Sequence, residues 1–312
     1  MSKKISVIIP MYYEEEVANA CYARTVNVLE NLNEYDYEII FVNDGSRDRT
    51  LEILKGFAAE NHKVKIISFS RNFGHQAAVT AGLKYVTGDV ILIMDADLQD
   101  PPELLPEMLK LWEEGSEVIY GKRHSRKGES VFKLLTAKMF YDFLNSMSDV
   151  EIPKNTGDFR LVDRKVVDVV NSMPEHNKFL RGLFSWVGFE QKEFLYERPK
   201  REFGKTKYPF RKMMKLAKDG IISFSTKPMR IVGSLGIFSM ILSFVILVYS
   251  ILSFAFEWNN LTPGWTSIMV TVTFFAGIQL LSLWLIAEYI TRIYDESKGR
   301  PEYVIKEKIN IE

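Results

Sequence analysis

Val90–Glu103, with the sequence VILIMDADLQDPPE, is the stretch that decides how the N-terminal part of this chain folds. Five apolar residues lead into three acids within six positions, Asp95, Asp97 and Asp100, and two prolines follow. Mutual repulsion and desolvation both oppose such a cluster at the end of a buried strand. We therefore expect a positively charged partner beside these carboxylates.

The residues on either side of this stretch alternate between strand patterns and helix patterns. Strands are predicted at residues 4–10, 37–44, 63–70, 89–95 and 116–122. Helical patterns cover Glu15–Asn31, Thr50–Glu60 and Gln76–Tyr85. This alternation predicts an α/β domain over residues 1–208, with a mostly parallel sheet that helices cover on both faces. Ligands of such sheets bind beyond the carboxyl ends of the strands.

Composition narrows the class of protein. The 312 residues include 40 Lys and Arg and 40 Asp and Glu, so net charge does not indicate a nucleic-acid partner and none is expected. Cys21 is the single cysteine, which excludes an intrachain disulfide and a cysteine-rich zinc site and fits a reducing compartment. The first residues, MSKKISVIIP, turn polar too soon for a signal peptide, and we interpret them as the first strand.

Two long uncharged segments near the C-terminal end predict a transmembrane hairpin over residues 229–293. Residues 231–256 and 258–287 contain no charged side chain, and each exceeds the roughly 20 residues that cross a bilayer. We place the spans at about 231–256 and 266–287. The alternative is a pair of core helices in a soluble protein.

Basic residues flank the predicted hairpin, whereas the loop inside it contains no Lys or Arg. They are Arg211, Lys212, Lys215, Lys218, Lys227 and Arg230 before it, and Arg292, Lys298, Arg300, Lys306 and Lys308 after it. The positive-inside rule then predicts an integral protein of a bacterial cell membrane, with the large domain and both termini in the cytoplasm. Residues 294–312 would form a cytoplasmic tail.

Two further segments have the pattern of helices that lie on a membrane surface. Residues 131–147 carry apolar side chains at helical spacing, and residues 209–228 mix basic with apolar side chains. We predict an amphipathic interfacial helix for the first and an amphipathic juxtamembrane helix for the second. An ordinary core-facing helix remains the alternative for residues 131–147.

The common nucleotide-binding motifs are absent. No glycine follows the first strand, as a dinucleotide fold would require, and Pro199 stands where a P-loop ending in Gly204 would need its first glycine. The acidic D-x-D of Asp95 and Asp97, with Gln99 two residues later, instead offers hard oxygen ligands that suit Mg²⁺ or Mn²⁺. Such an ion would offset the repulsion of the carboxylates. Solvated loop acids are the alternative for this motif considered alone.

Six motifs taken together resemble the polyprenyl-phosphate glycosyltransferases. They are VIIPMYYEEE, FVNDGSRDRT, SRNFGHQAAVTAGL, GDVILIMDADLQDPPE, NTGDFRLVDR and REFGKTKY. The family includes dolichyl-phosphate mannosyltransferase and the bacterial undecaprenyl-phosphate glucosyl and aminosugar transferases, and the resemblance covers essentially the whole chain. One departure is that the family usually reads P-x-Y-N-E-E, where this chain has Tyr13 in place of the asparagine.

The resemblance implies a glycosyltransferase-A fold and a set of donor-binding residues. Those that would hold the nucleotide sugar are Pro10, Tyr12, Glu14, Asp44, Arg71, Asn72, Asp95, Ala96, Asp97 and Arg201. Asp95, Asp97 and Gln99 would hold the metal ion, which would stabilise the leaving nucleoside diphosphate. In the alternative interpretation, residues 44–50 form only a turn and a helix cap.

On the acceptor side the resemblance implies that Asp158 is the catalytic acid residue. It would either orient or deprotonate the acceptor phosphate, and the alternative is a helix-capping aspartate. Cations that could bind the lipid phosphate are Lys122, Arg123, Arg126, Arg198, Lys205 and Lys207.

The resemblance therefore implies a metal-dependent inverting transferase that moves one sugar from a nucleotide diphosphate sugar to a polyprenyl phosphate for cell-envelope glycosylation. A UDP-sugar donor, for example UDP-glucose or a UDP-aminosugar, and an undecaprenyl acceptor are favoured, whereas which sugar is transferred is left open. The alternatives are a processive polysaccharide synthase, whose Q-x-x-R-W motif is absent, a transferase with a soluble or protein acceptor, and a non-enzymatic nucleotide-sugar-binding scaffold. The resemblance also makes a homo-oligomer, such as a tetramer, plausible.

Overall fold

The computed structural model describes residues 2–123, 156–176, 178–197, 227–255 and 264–311 of the chain. The chain divides into two compact units. The first comprises Met1–Asn145, Val150–Ala217 and Pro301–Glu312, and the second comprises Ser146–Asp149 and Lys218–Arg300.

The first unit is built on an eight-stranded mixed sheet. Its strands are β1 (Lys3–Met11), β2 (Tyr35–Asn43), β3 (Val64–Phe69), β4 (Val90–Ile93), β5 (Val118–Arg123), β6 (Thr156–Asp163), β7 (Gln191–Tyr196) and β8 (Ile305–Ile309). Their spatial order is β7-β5-β6-β4-β1-β2-β3-β8. Strands β1 to β4 run parallel, as do β5 and β7, whereas β6 and β8 run antiparallel to their neighbours. The predicted α/β fold with a mostly parallel sheet is confirmed.

Helices follow most of these strands. They are α1 (Ala18–Glu30), α2 (Thr50–Glu60), α3 (His75–Tyr85), α4 (Leu105–Glu113), α5 (Arg164–Ser172) and α6 (Leu180–Trp186), with a short 3-10 helix at Pro102–Leu104. The five predicted strands and three predicted helices are confirmed within a few residues. The central strands are apolar almost throughout because both of their faces are buried, as the complete burial of Ile5, Phe41 and Leu92 illustrates.

Strand β8 lies in residues 294–312, the segment predicted to be a cytoplasmic tail, and it forms one edge of the sheet. Ile305–Ile309 pairs antiparallel with β3 at the edge of the sheet. Asn310 donates hydrogen bonds from Nδ2 to the carbonyls of Ala58 (2.9 Å) and Val64 (2.8 Å), which attaches the strand to the domain. Its alternating sequence, IKEKI, is too short and too charged to be distinguished from a solvated segment.

The second unit contains two long helices that contact each other, α7 (Lys227–Ala255) and α8 (Trp265–Ser297). Among the described residues, one helical stretch, Phe274–Ser297, is long and apolar enough to cross a membrane. Large apolar side chains such as Phe244 and Leu280 are exposed on the two helices. One span of the predicted hairpin is thus supported, and the other stays a prediction.

The two predicted interfacial helices are not tested. Residues 131–147 lie outside the described part of the chain, as do residues 209–226.

Candidate active site at the carboxyl ends of the strands

The polar residues predicted after successive strands lie at one edge of the sheet. Because β1 to β4 are parallel, their carboxyl ends meet there and bring together the loops that follow them. The loops carry Tyr12 and Glu14 after β1, Asp44 after β2, Arg71 and Asn72 after β3, and Asp95 and Asp97 after β4. Sheet topology therefore joins residues that are up to 85 positions apart in sequence into one edge of the domain.

Hydrogen bonds join the loop after β1 to the loop after β2. The backbone N–H of Tyr13 donates to Ser46 Oγ (3.1 Å), and that of Glu14 donates to Thr50 Oγ1 (3.0 Å). Pro10 is the penultimate residue of β1, and Tyr12 is 39% exposed. An exposed aromatic ring on a fixed loop offers a flat surface on which a nucleotide base can stack.

Tyr13 occupies an unfavourable backbone conformation. Its φ is 55°, in the left-handed region that asparagine tolerates better than other residues with a side chain. The asparagine that the motif of the resembled family has at this position would adopt such a φ with less strain. Its ring packs edge-on against that of Tyr12, with 4.7 Å between the centroids.

Asp44 is buried, with 3% of its surface exposed, and organises the loop after β3. Its carboxylate accepts hydrogen bonds from Asn72 Nδ2 (2.7 Å) and from the backbone N–H groups of Phe73 (2.7 Å) and Gly74 (3.0 Å). Burial raises the pKa of Asp44, and the two backbone hydrogen bonds oppose that shift. Asp44 does not cap the helix that follows it, because Asp48 accepts the hydrogen bond from the backbone of Thr50 at the start of α2.

Arg71 is held close to the loop after β2. Its guanidinium lies over the ring of Phe73, 4.0 Å from the centroid, and donates to the carbonyl of Asn72 (3.1 Å). Gly45 permits this approach, because a Cβ at that position would come within 2.3 Å of the Arg71 carbonyl carbon. The predicted grouping of Asp44, Arg71 and Asn72 is therefore present in the structure.

The acidic motif forms a turn directly after β4. Asp95, Asp97 and Gln99 are partly exposed, whereas Ala96 and Leu98 between them are buried. The Asp97 carboxylate accepts a hydrogen bond from the backbone N–H of Gln99 at 3.1 Å. The turn thus places two carboxylates and an amide on the same side of the chain, at the predicted edge.

Asp158 lies in strand β6, opposite the acidic turn. Ile93 of β4 pairs with Arg160 of β6, and the strands are antiparallel, so Asp158 lies just beyond the end of β4. The alternative interpretation, in which Asp158 caps a helix, is excluded because Asp158 lies inside a strand. Asp163 caps α5 instead, where its side chain accepts from the backbone N–H of Lys165 at 2.9 Å.

Two cationic residues enclose the Asp158 carboxylate. Arg181 of α6 contacts both of its oxygens, with 2.6 Å from Nε to Oδ1 and 3.0 Å from Nη2 to Oδ2. His75, at the start of α3, lies 2.9 Å from Oδ2. Burial opposes ionisation, but the charge of Arg181 and the hydrogen bond to His75 hold the pKa of Asp158 well below its usual range. Asp158 is therefore a fixed carboxylate anion.

His75 links the Asp158 cluster to the acidic turn. Its Nε2 is 3.8 Å from Asp95 Oδ1. Burial disfavours the imidazolium, yet the hydrogen bond to Asp158 and the charge of Asp95 raise the pKa of His75 to about 9. The protonated side chain of His75 therefore supplies part of the positive charge that offsets the repulsion between the carboxylates of the acidic turn.

His75 and Arg181 were not among the predicted site residues. His75 lies inside the quoted motif SRNFGHQAAVTAGL, immediately after a strand-end loop, and that position was an available signal. Arg181 offered none, because it belongs to the apolar stretch FLRGLFSW, 23 residues after Asp158.

The oxygen ligands that the acidic turn offers suit a hard divalent cation. Asp95 has both Asp97 and Asp158 close to it, and burial together with these charges raises its pKa, although His75 opposes the shift. A bound cation would relieve that repulsion. No group of three or more metal-ligating side chains occurs among the described residues, so Asp95 and Asp97 would leave several coordination positions to other oxygens.

Lys122 is at the same edge of the sheet but already has an acidic partner. It pairs in register with Thr156, two residues before Asp158, and its Nζ is 2.5 Å from Glu193 Oε2. Arg123 ends β5, but its side chain lies outside the described part, as do the other cations predicted to contact phosphates. They are Arg126, Arg198, Arg201, Lys205 and Lys207.

Known proteins resemble this chain along its whole length. Residues 6–170 match the glycosyl transferase family 2 model. An uncharacterized glycosyltransferase of Bacillus subtilis, YkcC, is 48% identical over 100% of this chain and 97% of that protein. A bactoprenol glucosyl transferase of Shigella phage SfX is 39% identical over 98% of this chain and 99% of that protein. A prophage bactoprenol glucosyl transferase homolog of Escherichia coli is 40% identical, covering 97% and 98%.

Proposed function

Because this chain belongs to glycosyl transferase family 2, we propose that it transfers one sugar, with inversion, from a nucleotide diphosphate sugar to a polyprenyl phosphate at the cytoplasmic face of a membrane. Its membership confirms the family resemblance of the motifs, and its α/β fold is glycosyltransferase-A-like. The lipid acceptor is supported by the two relatives whose names identify them with bactoprenol glucosyl transfer.

The observation that carries this proposal is the arrangement of Asp158, Arg181 and His75 opposite the acidic turn. A transferase needs separate groups for the leaving diphosphate and for the attacking acceptor. Asp95 and Asp97 suit the first, and the cations held by Asp158 suit the second. His75 lies between the two, within 4 Å of both Asp95 and Asp158.

On the donor side, the loops after β1 to β3 would bind the nucleotide. Tyr12 offers its exposed ring to the base, with Pro10 and Glu14 beside it in the same segment. Arg71 is held against this loop cluster and suits the diphosphate. Asp44 acts mainly by holding the loop that carries Arg71 and Asn72, since its oxygens already accept three hydrogen bonds from that loop.

A divalent cation such as Mg²⁺ or Mn²⁺ would be held by Asp95 and Asp97, with Gln99 adjacent. When bound, it would supply charge stabilisation for the departing nucleoside diphosphate.

On the acceptor side, Asp158 orients cations rather than removing a proton. A lipid monophosphate has its second pKa at about 6, so it is already mostly ionised near neutral pH. A carboxylate held by two hydrogen bonds from Arg181 is also a poor base. Asp158 therefore keeps Arg181 and His75 in position to bind the acceptor phosphate, whose oxygen attacks the sugar.

The decisive experiment uses the purified full chain in detergent, with undecaprenyl phosphate and radiolabelled UDP-glucose, UDP-N-acetylglucosamine or GDP-mannose. We expect label to enter the organic phase only when the lipid phosphate is present, as a product with one sugar per lipid. Long polymer would indicate a processive synthase. Nucleotide binding without turnover of any of the three donors would contradict the proposal and favour a scaffold.

A further inference from the structure

The first unit contains a second cleft away from the acidic turn, with a volume of about 520 Å³. It lies between the second half of helix α3, the segment that follows α5 and the segment that precedes β8. Its lining includes Thr80, Lys84 and Tyr85 from α3, Lys178 from the middle segment, and Tyr303 from the third. None of these residues belongs to the proposed transfer site.

Lys178 is the main reason to regard the cleft as a binding site. It is only 9% exposed, and a buried ammonium is costly unless it is well paired. Within the described part of the chain, its Nζ donates one hydrogen bond, to the carbonyl of Val170 at 3.2 Å. An ammonium has three donors, so an anion in the cleft would satisfy donors that the protein itself does not.

Two other groups add to this donor-rich lining. Lys84 is close enough to Lys178 to disfavour the charge of Lys178, so two positive charges share the cleft. Thr80 is 6% exposed, and its hydroxyl has no hydrogen-bond partner in the residues that the structure describes. A buried hydroxyl without a hydrogen-bond partner destabilises the folded state, and a hydrogen bond from a ligand or an ordered water would remove that cost.

Acidic and aromatic residues narrow the class of ligand. Glu175 and Glu302 also line the cleft and favour the charged form of Lys178. A bare anion would be repelled by them, whereas the hydroxyls of a polyol can donate hydrogen bonds to carboxylates. Tyr85 and Tyr303 add apolar ring surface of the kind that packs against the C–H face of a sugar.

We propose that this cleft binds a polyol phosphate, with the phosphate group at Lys84 and Lys178 and the hydroxyls at Glu175 and Glu302. A sugar phosphate and the headgroup of phosphatidylglycerol both present this chemistry.

A ligand bound in the cleft would affect the transfer site through two short structural connections. Lys178 is three residues before Arg181, and the backbone N–H of Leu180 between them donates to Gln76 Oε1 at 3.0 Å. Thr80 is in the same helix, α3, that begins with His75. Arg181 and His75 are the two residues that hold Asp158, so we expect the ligand to change kcat more than the KM of the nucleotide sugar.

The test measures acetylation of individual lysines by mass spectrometry, on the full chain in detergent micelles. Glucose 1-phosphate is the probe, with glucose, inorganic phosphate and sodium chloride at matched ionic strength as comparisons. Lys110, an exposed lysine of α4 outside the cleft, is the internal reference. At a probe concentration of ten times Kd, acetylation of Lys84 should slow about tenfold relative to Lys110, because only the unbound fraction reacts.

Two lysine substitutions and a comparison of two lipid compositions complete the test. Lys84→Gln should weaken protection of Lys178, whereas Lys192→Gln, at an exposed lysine outside the cleft, should leave it unchanged. Nanodiscs of phosphatidylcholine with or without phosphatidylglycerol distinguish the sources, since protection that requires phosphatidylglycerol identifies the headgroup as the ligand. Equal protection by inorganic phosphate would overturn the polyol assignment. Unchanged rates for Lys84 and Lys178 relative to Lys110 in every arm would overturn the site itself.

Discussion

Replacing Asp158 by Asn tests the central element of the proposed site. The substitution keeps the size of the side chain but removes the charge that Arg181 contacts at 2.6 and 3.0 Å and that His75 contacts at 2.9 Å. Two cations then remain close together without their shared anion. We expect a large fall in kcat and a clear loss of stability, with little change in the KM for the nucleotide sugar.

The size of the expected stability loss follows from the burial of the ion pair between Asp158 and Arg181. The side chains of Asp158 and Arg181 are 11% and 21% exposed, and breaking a buried ion pair costs about 3–5 kcal/mol. An asparagine still accepts one hydrogen bond, which reduces the expected loss in the free energy of unfolding to about 2–4 kcal/mol. The fall in kcat should be roughly a hundredfold or more, the scale of a positioned charged group in catalysis.

The surface pair of Arg24 and Glu103 is a matched control. It has the same two-contact geometry, at 2.8 and 2.7 Å, but its side chains are 35% and 47% exposed. Glu103→Gln should therefore cost at most about 1 kcal/mol and leave kcat unchanged. Thermal unfolding and the radiolabelled lipid assay measure both quantities on the full chain.

A double variant separates positioning from proton removal. If Asp158 acts by holding Arg181, then Asp158→Asn combined with Arg181→Gln should lose no more kcat than the more damaging single change. Losses that multiply would show that the two residues act independently. Near-normal kcat in a folded Asp158→Asn protein would refute the role of the cluster altogether.

Four other predictions follow from particular contacts. Hydrogen bonds from Lys65 and Ser6 overcome burial and lower the pKa of Glu38 from 4.5 to about 2, so Glu38→Gln should cost about 3 kcal/mol at pH 7. Because a lowered folded-state pKa stabilises only above the unfolded value, that difference should disappear in unfolding titrations as pH falls from about 4.5 towards 2, and a pH-independent difference would contradict it. Tyr13→Asn should raise the unfolding free energy by about 0.5–1 kcal/mol, since asparagine tolerates a φ of 55°, and a lower melting temperature would count against this reasoning. Asp95→Asn and Asp97→Asn should each nearly abolish transfer, and EDTA should do so reversibly with Mg²⁺ or Mn²⁺, whereas full rates in chelator would exclude the metal role. Asn310→Ala should cost about 1–2 kcal/mol in chemical denaturation because two carbonyls lose a donor, and an unchanged midpoint would show that β8 adds little to the domain.

The sequence by itself determined the α/β class, the first five strands and the edge at which polar residues gather. These features are local, because an apolar run such as residues 90–93 predicts a buried strand wherever it pairs. The parallel arrangement then brings the ends of β1 to β4 together without any knowledge of side-chain positions. Asp44, Arg71, Asn72 and the acidic turn were predictable for this reason.

Only the tertiary structure decided what surrounds Asp158. A local interpretation left it as either a catalytic residue or a helix cap, and its place in an antiparallel strand excluded the cap. Antiparallel insertion of β6 beside β4 has no local signal, because β6 begins 63 positions after β4 ends and 33 positions after its other neighbour, β5, ends. The pairing of Asp158 with His75 and Arg181 joins residues 83 and 23 positions away.

Strand β8 is a second feature that only the tertiary structure decided. Five residues with three charges carry too little hydrophobic pattern to predict a strand, yet they pair with β3 some 240 residues earlier. Local pattern reports how a segment buries its own apolar side chains, whereas pairing across the chain depends on which edge is left open after the core has assembled. The predicted site residues could be found from local pattern. His75 and Arg181, the cations that complete the site, depend on contacts between distant parts of the chain.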